Sequence, residues 1–294
     1  MEPLYAKQIL TPLRPDMDQF FWSDWNMNLY RGCSHGCIYC DSRSTCYHLE
    51  HFDTIRPKEN ALELLRKELP GKRRTGIVST GAMSDPYNPM EKTLRLTQQA
   101  FQLLNRYGFG VDFTTKSALC ARDTGLLVDI AARAPVNARM TITCADDGLC
   151  RLIEPHVSVS SERFEAIRRM SEAGLYTGVW LNPMLPFLTD SEENLTSVLR
   201  MAAQAGAKYV VCFFSVTLRD GDRDYFFRAL DRDFPGVKDR YLQTYGNSYI
   251  CTVPNADHLY EVFKAECRRL GLIYRFRDIN QALLSRQPVQ QCMW

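Results

Sequence analysis

The chain has 294 residues, with 36 lysines and arginines against 34 aspartates and glutamates, so its formal net charge is +2. Hydrophobic residues make up 45% of it and charged residues 24%, values typical of globular proteins, which excludes a disordered chain, a collagen and a coiled coil. The near balance of charge argues against a broad basic face and leaves room only for a local basic groove.

No apolar run reaches the roughly 18 residues that a membrane-spanning helix needs. Residues 1–16 lack the charged, apolar and small-residue sections of a secretory signal peptide. We therefore expect a cytoplasmic protein that does not bind membranes. Eleven cysteines in such a chain predict metal or redox chemistry rather than a disulfide framework.

Short apolar strands alternate with amphipathic helices through the first two thirds of the chain. The predicted strands span residues 26–31, 76–80, 110–115, 138–143, 177–182 and 209–214. Helices are predicted between them, where apolar residues recur near a spacing of 3.6, at residues 58–69, 94–107, 124–134, 161–173 and 191–205. Nearly continuous apolar strands are typical of a parallel sheet covered on both faces. The pattern predicts an α/β fold, either an open doubly wound sheet or a barrel.

The alternation ends near residue 220. Charged helical stretches follow at residues 222–233, 236–245 and 256–270. We therefore predict two regions: a βα-repeat domain with an N-terminal lead-in over residues 1–219, and a helical C-terminal extension packed on it over residues 220–294.

The most informative segment follows the first predicted strand and reads YRGCSHGCIYC, residues 30–40. It places Cys33, Cys37 and Cys40 within eight residues, and glycines in the spacers let the backbone turn tightly. A structural zinc ion takes four ligands, so this triplet would need His35, Cys46 or a distant residue to complete the shell. Iron–sulfur clusters also usually take four cysteines. The triplet therefore predicts either a zinc site with a further ligand or an iron–sulfur site with one open position.

The spacing C-x3-C-x2-C, with an aromatic residue before the last cysteine, resembles the radical S-adenosylmethionine (SAM) superfamily. The resemblance implies that Cys33, Cys37 and Cys40 hold a 4Fe–4S cluster whose fourth iron is chelated by the amino and carboxylate groups of SAM. It further implies reductive cleavage of SAM to methionine and a 5′-deoxyadenosyl radical, and a reductant such as flavodoxin or ferredoxin. Family members have a partial (β/α)6 TIM-type barrel, in agreement with the six predicted strands.

Further segments are similar to the spore photoproduct lyase-like branch of this superfamily, often labelled DNA repair photolyases. They are GAMSDPYNPMEK at 81–92, DFTTKS at 112–117, IEP at 153–155, RFEAI at 163–167 and AGLYTGVWLNPMLPFLTD at 173–190. The resemblance implies SAM contacts from residues at or just past strand ends, where barrels keep their functional groups. These are Gly81, Ser84 and Asp85 at the amino group, Lys116 at the carboxylate, Thr143 at the ribose or carboxylate, the Tyr39 backbone at adenine, and Asn182 and Met184 on the far wall.

Two departures from spore photoproduct lyase concern its reaction. That enzyme has a hydrogen-donating cysteine just before a Thr-Ser-Asp stretch, where this chain has Ala82-Met83-Ser84-Asp85. It also has a tyrosine directly after the third cluster cysteine, where this chain has Asp41. Both differences argue against thymine-dimer reversal. Cys144, just past a strand end, is the best candidate for another hydrogen donor, although packing in the core is the ordinary role of a free cysteine.

The substrate stays open between a nucleic acid, a peptide and a small molecule. Basic residues cluster at 66–74, 163–169 and 264–277, and the last cluster also contains aromatic residues that could stack on bases. Two alternatives to SAM chemistry are a zinc-binding nucleic-acid module and an iron–sulfur carrier or sensor that cleaves no SAM.

Overall fold

A computed structural model describes residues 3–81 and 83–286. Its centre is a seven-stranded sheet in the order β1-β2-β5-β6-β7-β8-β9. The strands of the described chain are β1 Leu10–Pro12, β2 Trp25–Met27, β3 Tyr30–Arg31, β4 Arg56–Pro57, β5 Ile77–Thr80, β6 Gly110–Thr115, β7 Val136–Thr141, β8 Tyr176–Trp180, β9 Tyr209–Val211, β10 Ser215–Thr217 and β11 Ile250–Thr252.

Six neighbouring strands of this sheet, β2 and β5 to β9, run parallel, and β1 pairs antiparallel with β2 at one edge. The sheet is open because β1 and β9 end it without pairing with each other. The predicted α/β fold with six parallel strands in a partial barrel is confirmed. An isolated bridge between Tyr209 and Ile273 continues the sheet beyond β9.

The helices of the described chain cover the outer face of the sheet or belong to the C-terminal part. Their bounds are α1 Ala61–Glu68, α2 Glu91–Leu94, α3 Leu96–Arg106, α4 Thr124–Ala131, α5 Asp147–Ile153, α6 Ser160–Glu172, α7 Glu192–Gln204, α8 Asp222–Asp233, α9 Val237–Tyr245, α10 Ala256–Leu270 and α11 Phe276–Leu284. Each long helix buries one apolar face; in α3, for example, Ala100, Phe101 and Leu104 are fully buried. No helix within residues 3–81 and 83–286 is long and apolar enough to cross a membrane.

Several strands end earlier than predicted, among them β9, which ends at Val211 rather than at residue 214. Strand β7 ends at Thr141 rather than at residue 143, and β8 ends at Trp180 rather than at residue 182. The two strands are in register, with Thr141 opposite Trp180. Buried residues occur past both ends, through Cys144 after β7 and at Leu181 and Asn182 after β8, so burial alone does not locate the ends.

The C-terminal region is mostly helical, as predicted, but it contributes more to the barrel than an added helical layer. Strand β11 pairs antiparallel with β10, and Val253 N–H donates to Phe214 O at 2.9 Å. Helix α10 packs along α7, and α11, which was not predicted, buries Ile279 and Leu283 against the sheet residues Tyr176 and Tyr209. These contacts join the region after residue 219 closely to the barrel.

Candidate active site

A cavity of about 860 Å³ opens at the carboxyl ends of the parallel strands. Residues at or just past five strand ends line it: Asn28 after β2, Gly81 after β5, Lys116 after β6, Thr141 on β7 and Asn182 after β8. Carboxyl ends of parallel strands meet at one rim of a barrel, so side chains distant in sequence converge there. The cavity is therefore built by the fold and not by any single segment.

Cys33, Cys37 and Cys40 all line this cavity from the loop that follows β3. The loop begins at Gly32, whose φ of +77° is a conformation that glycine adopts readily and other residues avoid. A Cβ atom at this position would lie 2.3 Å from the Thr54 carbonyl oxygen. The glycine is thus required for the chain to turn towards the cavity.

Two backbone hydrogen bonds hold the cysteine loop in place. Cys33 N–H donates to Phe52 O at 2.7 Å, and Ile38 N–H donates to Ile153 O at 3.0 Å. The first bond ties the loop to the segment before β4, and the second ties it to the carboxyl end of α5. The three thiols are therefore presented by a backbone anchored at both sides.

The three thiols are largely shielded from solvent, and the side chain of Lys116 lies near them. Burial raises the pKa of Cys33 to about 11 and also raises the pKa values of Cys37 and Cys40. Burial by itself would lower the pKa of Lys116, but the neighbouring Cys37 and Glu154 outweigh that effect and the pKa is raised to about 12. A bound metal deprotonates a coordinating thiol outright. Three largely buried thiols that line one cavity fit a soft metal centre such as an iron–sulfur cluster, and a lysine suits the anionic groups around it.

The two nearby candidates for a fourth ligand contact other groups. His35 Nδ1 lies 3.6 Å from Asp85 Oδ2, so the imidazole faces a carboxylate. Cys46 is exposed, and its sulfur lies 3.2 Å from Ser44 Oγ. Among the residues that the structure describes, no three His, Cys, Asp or Glu side chains are grouped so as to hold one metal ion.

The segment after β5 forms the part of the cavity wall beside the cysteine loop. Gly81 has a φ of +104°, and a Cβ atom there would lie 2.3 Å from Thr114 O, so this turn also requires glycine. Ser84 Oγ donates to Gly32 O at 2.6 Å, which connects this wall to the cysteine loop. Ser84 lines the cavity, and its hydroxyl oxygen can still accept hydrogen bonds while it donates this one.

Asp85 links the ends of β5 and β6. One carboxylate oxygen accepts from the Thr115 hydroxyl at 2.6 Å and from Tyr87 N–H at 2.8 Å, and the other accepts from Lys116 N–H at 2.8 Å. Most of its acceptor capacity is therefore used within the protein. The residue acts as a turn former and lines the cavity at the same time.

Comparison with known proteins identifies the family. Residues 27–202, which include the cysteine loop and the whole of four of the six parallel strands, match the family model of the Radical SAM superfamily. The chain belongs to this superfamily. Membership makes it a radical SAM enzyme and implies a 4Fe–4S cluster and SAM as cofactors, as the sequence predicted.

One curated relative is an uncharacterized protein of Mycobacterium tuberculosis strain H37Rv, 34% identical over 229 residues, which are 75% of this chain and 67% of that protein. Spore photoproduct lyase complexed with dinucleoside spore photoproduct matches in fold with a TM-score of 0.63 and 14% identity, over 92% of this chain and 80% of that one. A radical SAM methyltransferase from Kitasatospora setae, solved with tryptophan and a SAM analogue, matches with a TM-score of 0.55 and 10% identity, over 83% and 51%. The likeness to spore photoproduct lyase is thus confirmed for the fold.

The structure brings most of the predicted SAM-contacting residues of this radical SAM enzyme to the cavity. Tyr39, Gly81, Ser84, Asp85, Lys116 and Asn182 all line it. The Asn182 amide is already engaged, because its Nδ2 donates to Val211 O at 3.0 Å and its Oδ1 accepts from Phe213 N–H at 2.8 Å. This side chain holds the ends of β8 and β9 together beside the cavity. Ala82, at which the sequence departs from spore photoproduct lyase, lies outside the residues that the structure describes.

Three predicted residues lie in the core behind the cavity wall. Thr143 and Met184 are fully buried, and Thr141, two residues earlier on β7, lines the cavity in the place expected for Thr143. The physical reason is the early end of β7, after which the chain leaves the barrel rim. Cys144 is also fully buried, and its thiol contacts Asp146 O at 3.4 Å. The structure thus places Cys144 in the core rather than on the cavity wall, and its role as hydrogen donor stays a prediction.

Sequence reasoning missed a polar floor deeper in the cavity. Arg139 on β7 pairs with Asp112 on β6, and both side chains are almost fully buried. Asp112 also accepts from Ser79 Oγ at 2.6 Å and from Asn137 Nδ2 at 2.9 Å, while the Arg139 guanidinium lies 3.8 Å from the centre of the Phe21 ring. The sequence does contain a pattern that predicts this floor. Polar residues occur at every second position of VDFTT and VNARMT, so they lie on one face of each strand.

Proposed function

We propose that this radical SAM enzyme binds its 4Fe–4S cluster through Cys33, Cys37 and Cys40 and abstracts a hydrogen atom from a substrate held in the same cavity. One observation carries the proposal: three largely buried thiols from a single loop line the same cavity as Ser84 and Lys116 at the barrel rim. When bound, the cluster would supply the electron that cleaves SAM into methionine and a 5′-deoxyadenosyl radical.

Residues that line the cavity together with the cysteines would orient SAM. Lys116 would pair with the SAM carboxylate, because an ammonium group in a dry site strongly favours an anionic partner. The Ser84 oxygen and the remaining acceptor capacity of Asp85 would take hydrogen bonds from the SAM amino group. The Tyr39 backbone would contact adenine. Gly81 would let the backbone approach the cofactor, since any side chain there clashes with the next strand.

The space deeper in the barrel would hold the substrate. Its floor is the Arg139–Asp112 pair, whose charges largely neutralise each other, and its walls include Trp180 and Phe213. Such a pocket excludes bulk water and so protects a reactive radical from side reactions. The reaction would differ from thymine-dimer reversal, because Asp41 stands where that enzyme has a tyrosine and Cys144 lies in the core.

We further propose that a small electron carrier such as flavodoxin or ferredoxin reduces the enzyme in the cytoplasm. Buried thiols that must stay reduced to bind iron suit a reducing compartment. This part of the proposal is tested by replacing the chemical reductant with each carrier in the assay described next.

The test is anaerobic reconstitution with iron and sulfide, followed by addition of SAM and reductant and chromatography for 5′-deoxyadenosine. We expect about four irons per chain, whereas a structural site would hold one zinc ion and no iron. Cys37→Ala should abolish 5′-deoxyadenosine, and Cys267→Ala, at a fully buried cysteine of α10, should retain it. Product formation by the Cys37→Ala protein would contradict the proposal.

A further inference from the structure

Behind the cysteine loop lies a buried group of three side chains, Tyr39, Glu154 and Arg163. Glu154 and Arg163 have no exposed side-chain surface, and Arg163 Nη2 lies 2.6 Å from Glu154 Oε2. The Tyr39 hydroxyl donates a short hydrogen bond to the other oxygen, Oε1. The remaining guanidinium donors reach Thr141 O at 2.8 Å and Ser158 O at 2.6 Å. Every charged atom in the group therefore has a partner.

This group is attached directly to the metal-binding loop. Tyr39 stands between Cys37 and Cys40, and Glu154 follows Ile153, whose carbonyl accepts from Ile38 N–H at 3.0 Å. The loop is thus held twice by the end of α5, once through its backbone and once through the tyrosine hydroxyl. A change at Glu154 would be transmitted to the cysteines on either side of Tyr39.

A buried ion pair at this place needs an explanation beyond stability. Removing two charges from water costs several kcal/mol per ion, and well-packed apolar residues of similar volume are often as stable or more stable. The pair instead holds a carboxylate in a dry region, hydrogen-bonded to the tyrosine that stands between Cys37 and Cys40. Charges and hydrogen bonds near an iron–sulfur cluster are among the factors that set its reduction potential.

We propose that Glu154, held by Arg163, is a positioning residue for the iron–sulfur cluster that fixes the cysteine loop through Tyr39 and lowers the reduction potential of the cluster. The proposal rests on the proposed function, since it needs a cluster at Cys33, Cys37 and Cys40. A negative charge disfavours the arrival of an electron, and this effect is strong in a site with little water. The loop restraint acts separately, through the hydrogen bond of the tyrosine hydroxyl.

The experiment compares four variants of the full-length protein after anaerobic reconstitution. Glu154→Gln removes the charge and keeps a hydrogen-bond acceptor, Glu154→Asp keeps the charge, and Tyr39→Phe removes the hydrogen bond while the charge stays. The matched control is Glu91→Gln. Glu91 is a second fully buried glutamate that accepts from a tyrosine, Tyr30, and pairs with an arginine, but it does not line the cavity.

Midpoint potentials are measured by a redox titration followed by electron paramagnetic resonance. Glu154→Gln should favour reduction by tenfold or more, which is about 59 mV for one electron, while Glu154→Asp and Glu91→Gln should keep the wild-type potential. Tyr39→Phe should also keep the potential but lose iron several-fold faster to a chelator. Circular dichroism of the iron-free proteins checks that each variant is folded.

Glu154→Gln protein with wild-type iron content and potential would overturn the inference and leave the proposed function intact. Wild-type protein that takes up no cluster would instead overturn the proposed function. If Glu154→Gln does not fold, Arg163→Gln decides the question, because it leaves the carboxylate uncompensated and should shift the potential in the opposite direction. An unchanged or more positive potential in Arg163→Gln would then count against the role of Glu154.

Discussion

Lys116 combines three properties that single residues rarely share. It follows a barrel strand, lines the cavity, and its ammonium nitrogen lies 5.8 Å from the centre of the Tyr39 ring. Its backbone N–H is fixed by Asp85, so the side chain starts from a defined position. At the scale of the residue, Lys116 is therefore the group best placed to recognise an anionic part of SAM next to the thiols.

We expect Lys116→Met to weaken SAM binding to the cluster-loaded protein without destabilising the fold. A hydrogen bond between charged groups contributes about 1.5–3 kcal/mol, so the dissociation constant should rise by roughly 10-fold to 100-fold. Isothermal titration calorimetry measures this change, and thermal unfolding measures stability. Lys67→Met, at an exposed lysine on α1, is the control and should bind SAM normally. Equal affinities in both variants would contradict the assigned role.

The residue scale also shows why some predicted site residues lie in the core rather than on the cavity wall. Thr143 and Cys144 were placed at a strand end because the apolar run continues through them, but β7 ends at Thr141. Thr141, two residues earlier and on the same face of the strand, lines the cavity instead. Strand ends depend on pairing with β6 and β8, which a single segment does not contain.

At the scale of elements, helix α11 and the N-terminal segment hold each other against the barrel. Asn280 on α11 is fully buried and accepts from Trp22 N–H at 2.9 Å. Its amide nitrogen donates to Met17 O at 3.0 Å and to Phe20 O at 2.8 Å. Phe20 and Phe21 in this segment line the cavity. One asparagine near the C-terminal part of the chain thus positions a wall of the cavity built by the N-terminal part.

Asn280→Ala should loosen this wall and destabilise the fold. Three hydrogen bonds at about 1 kcal/mol each predict a loss of roughly 2–3 kcal/mol in the free energy of unfolding. Chemical denaturation measures the loss, and hydrogen exchange should become faster at the Trp22 amide than in the wild type. Gln281→Ala changes the neighbouring exposed residue of the same helix. Its free energy of unfolding should stay within about 0.5 kcal/mol of the wild type, and exchange at the Trp22 amide should be unchanged. Unchanged exchange in Asn280→Ala would show that the wall is held elsewhere.

At the scale of the whole molecule, the barrel and the C-terminal region share one core. Phe263 and Cys267 of α10 belong to the same buried cluster as Leu195 and Leu199 of α7. Helix α11 and the bridge at Ile273 cover the edge of the sheet at β9. The predicted boundary at residue 219 therefore separates two stretches of sequence that pack together as one unit.

A chain that ends at residue 219 should fail to fold cooperatively. Its barrel would expose the apolar surface of α7 and β9, and apolar burial contributes about 25 cal/mol per Å². We expect increased fluorescence of the dye ANS and a broad thermal transition in circular dichroism, relative to the full chain. A sharp transition near the wild-type temperature would instead establish residues 1–219 as an independent domain. The full chain with and without reconstituted cluster serves as the reference.

The sequence by itself determined the α/β class, the six βα units and the cysteine loop. These features are local: strand and helix periods repeat within short windows, and Cys33, Cys37 and Cys40 are neighbours in the chain. The matching family model and the parallel sheet confirm the fold and the superfamily. The individual SAM contacts, the substrate and the electron donor stay predictions.

Only the tertiary structure decided which polar groups face the cavity. The Arg139–Asp112 floor, the pairing of Glu154 with Tyr39 and Arg163, and the place of Asn280 against the N-terminal segment each join residues from different parts of the chain. Such contacts arise because parallel strands and their crossover helices bring distant segments together at one rim. Local patterns carry no information on those distances, since hydrogen-bond partners and strand ends are set by neighbours in space.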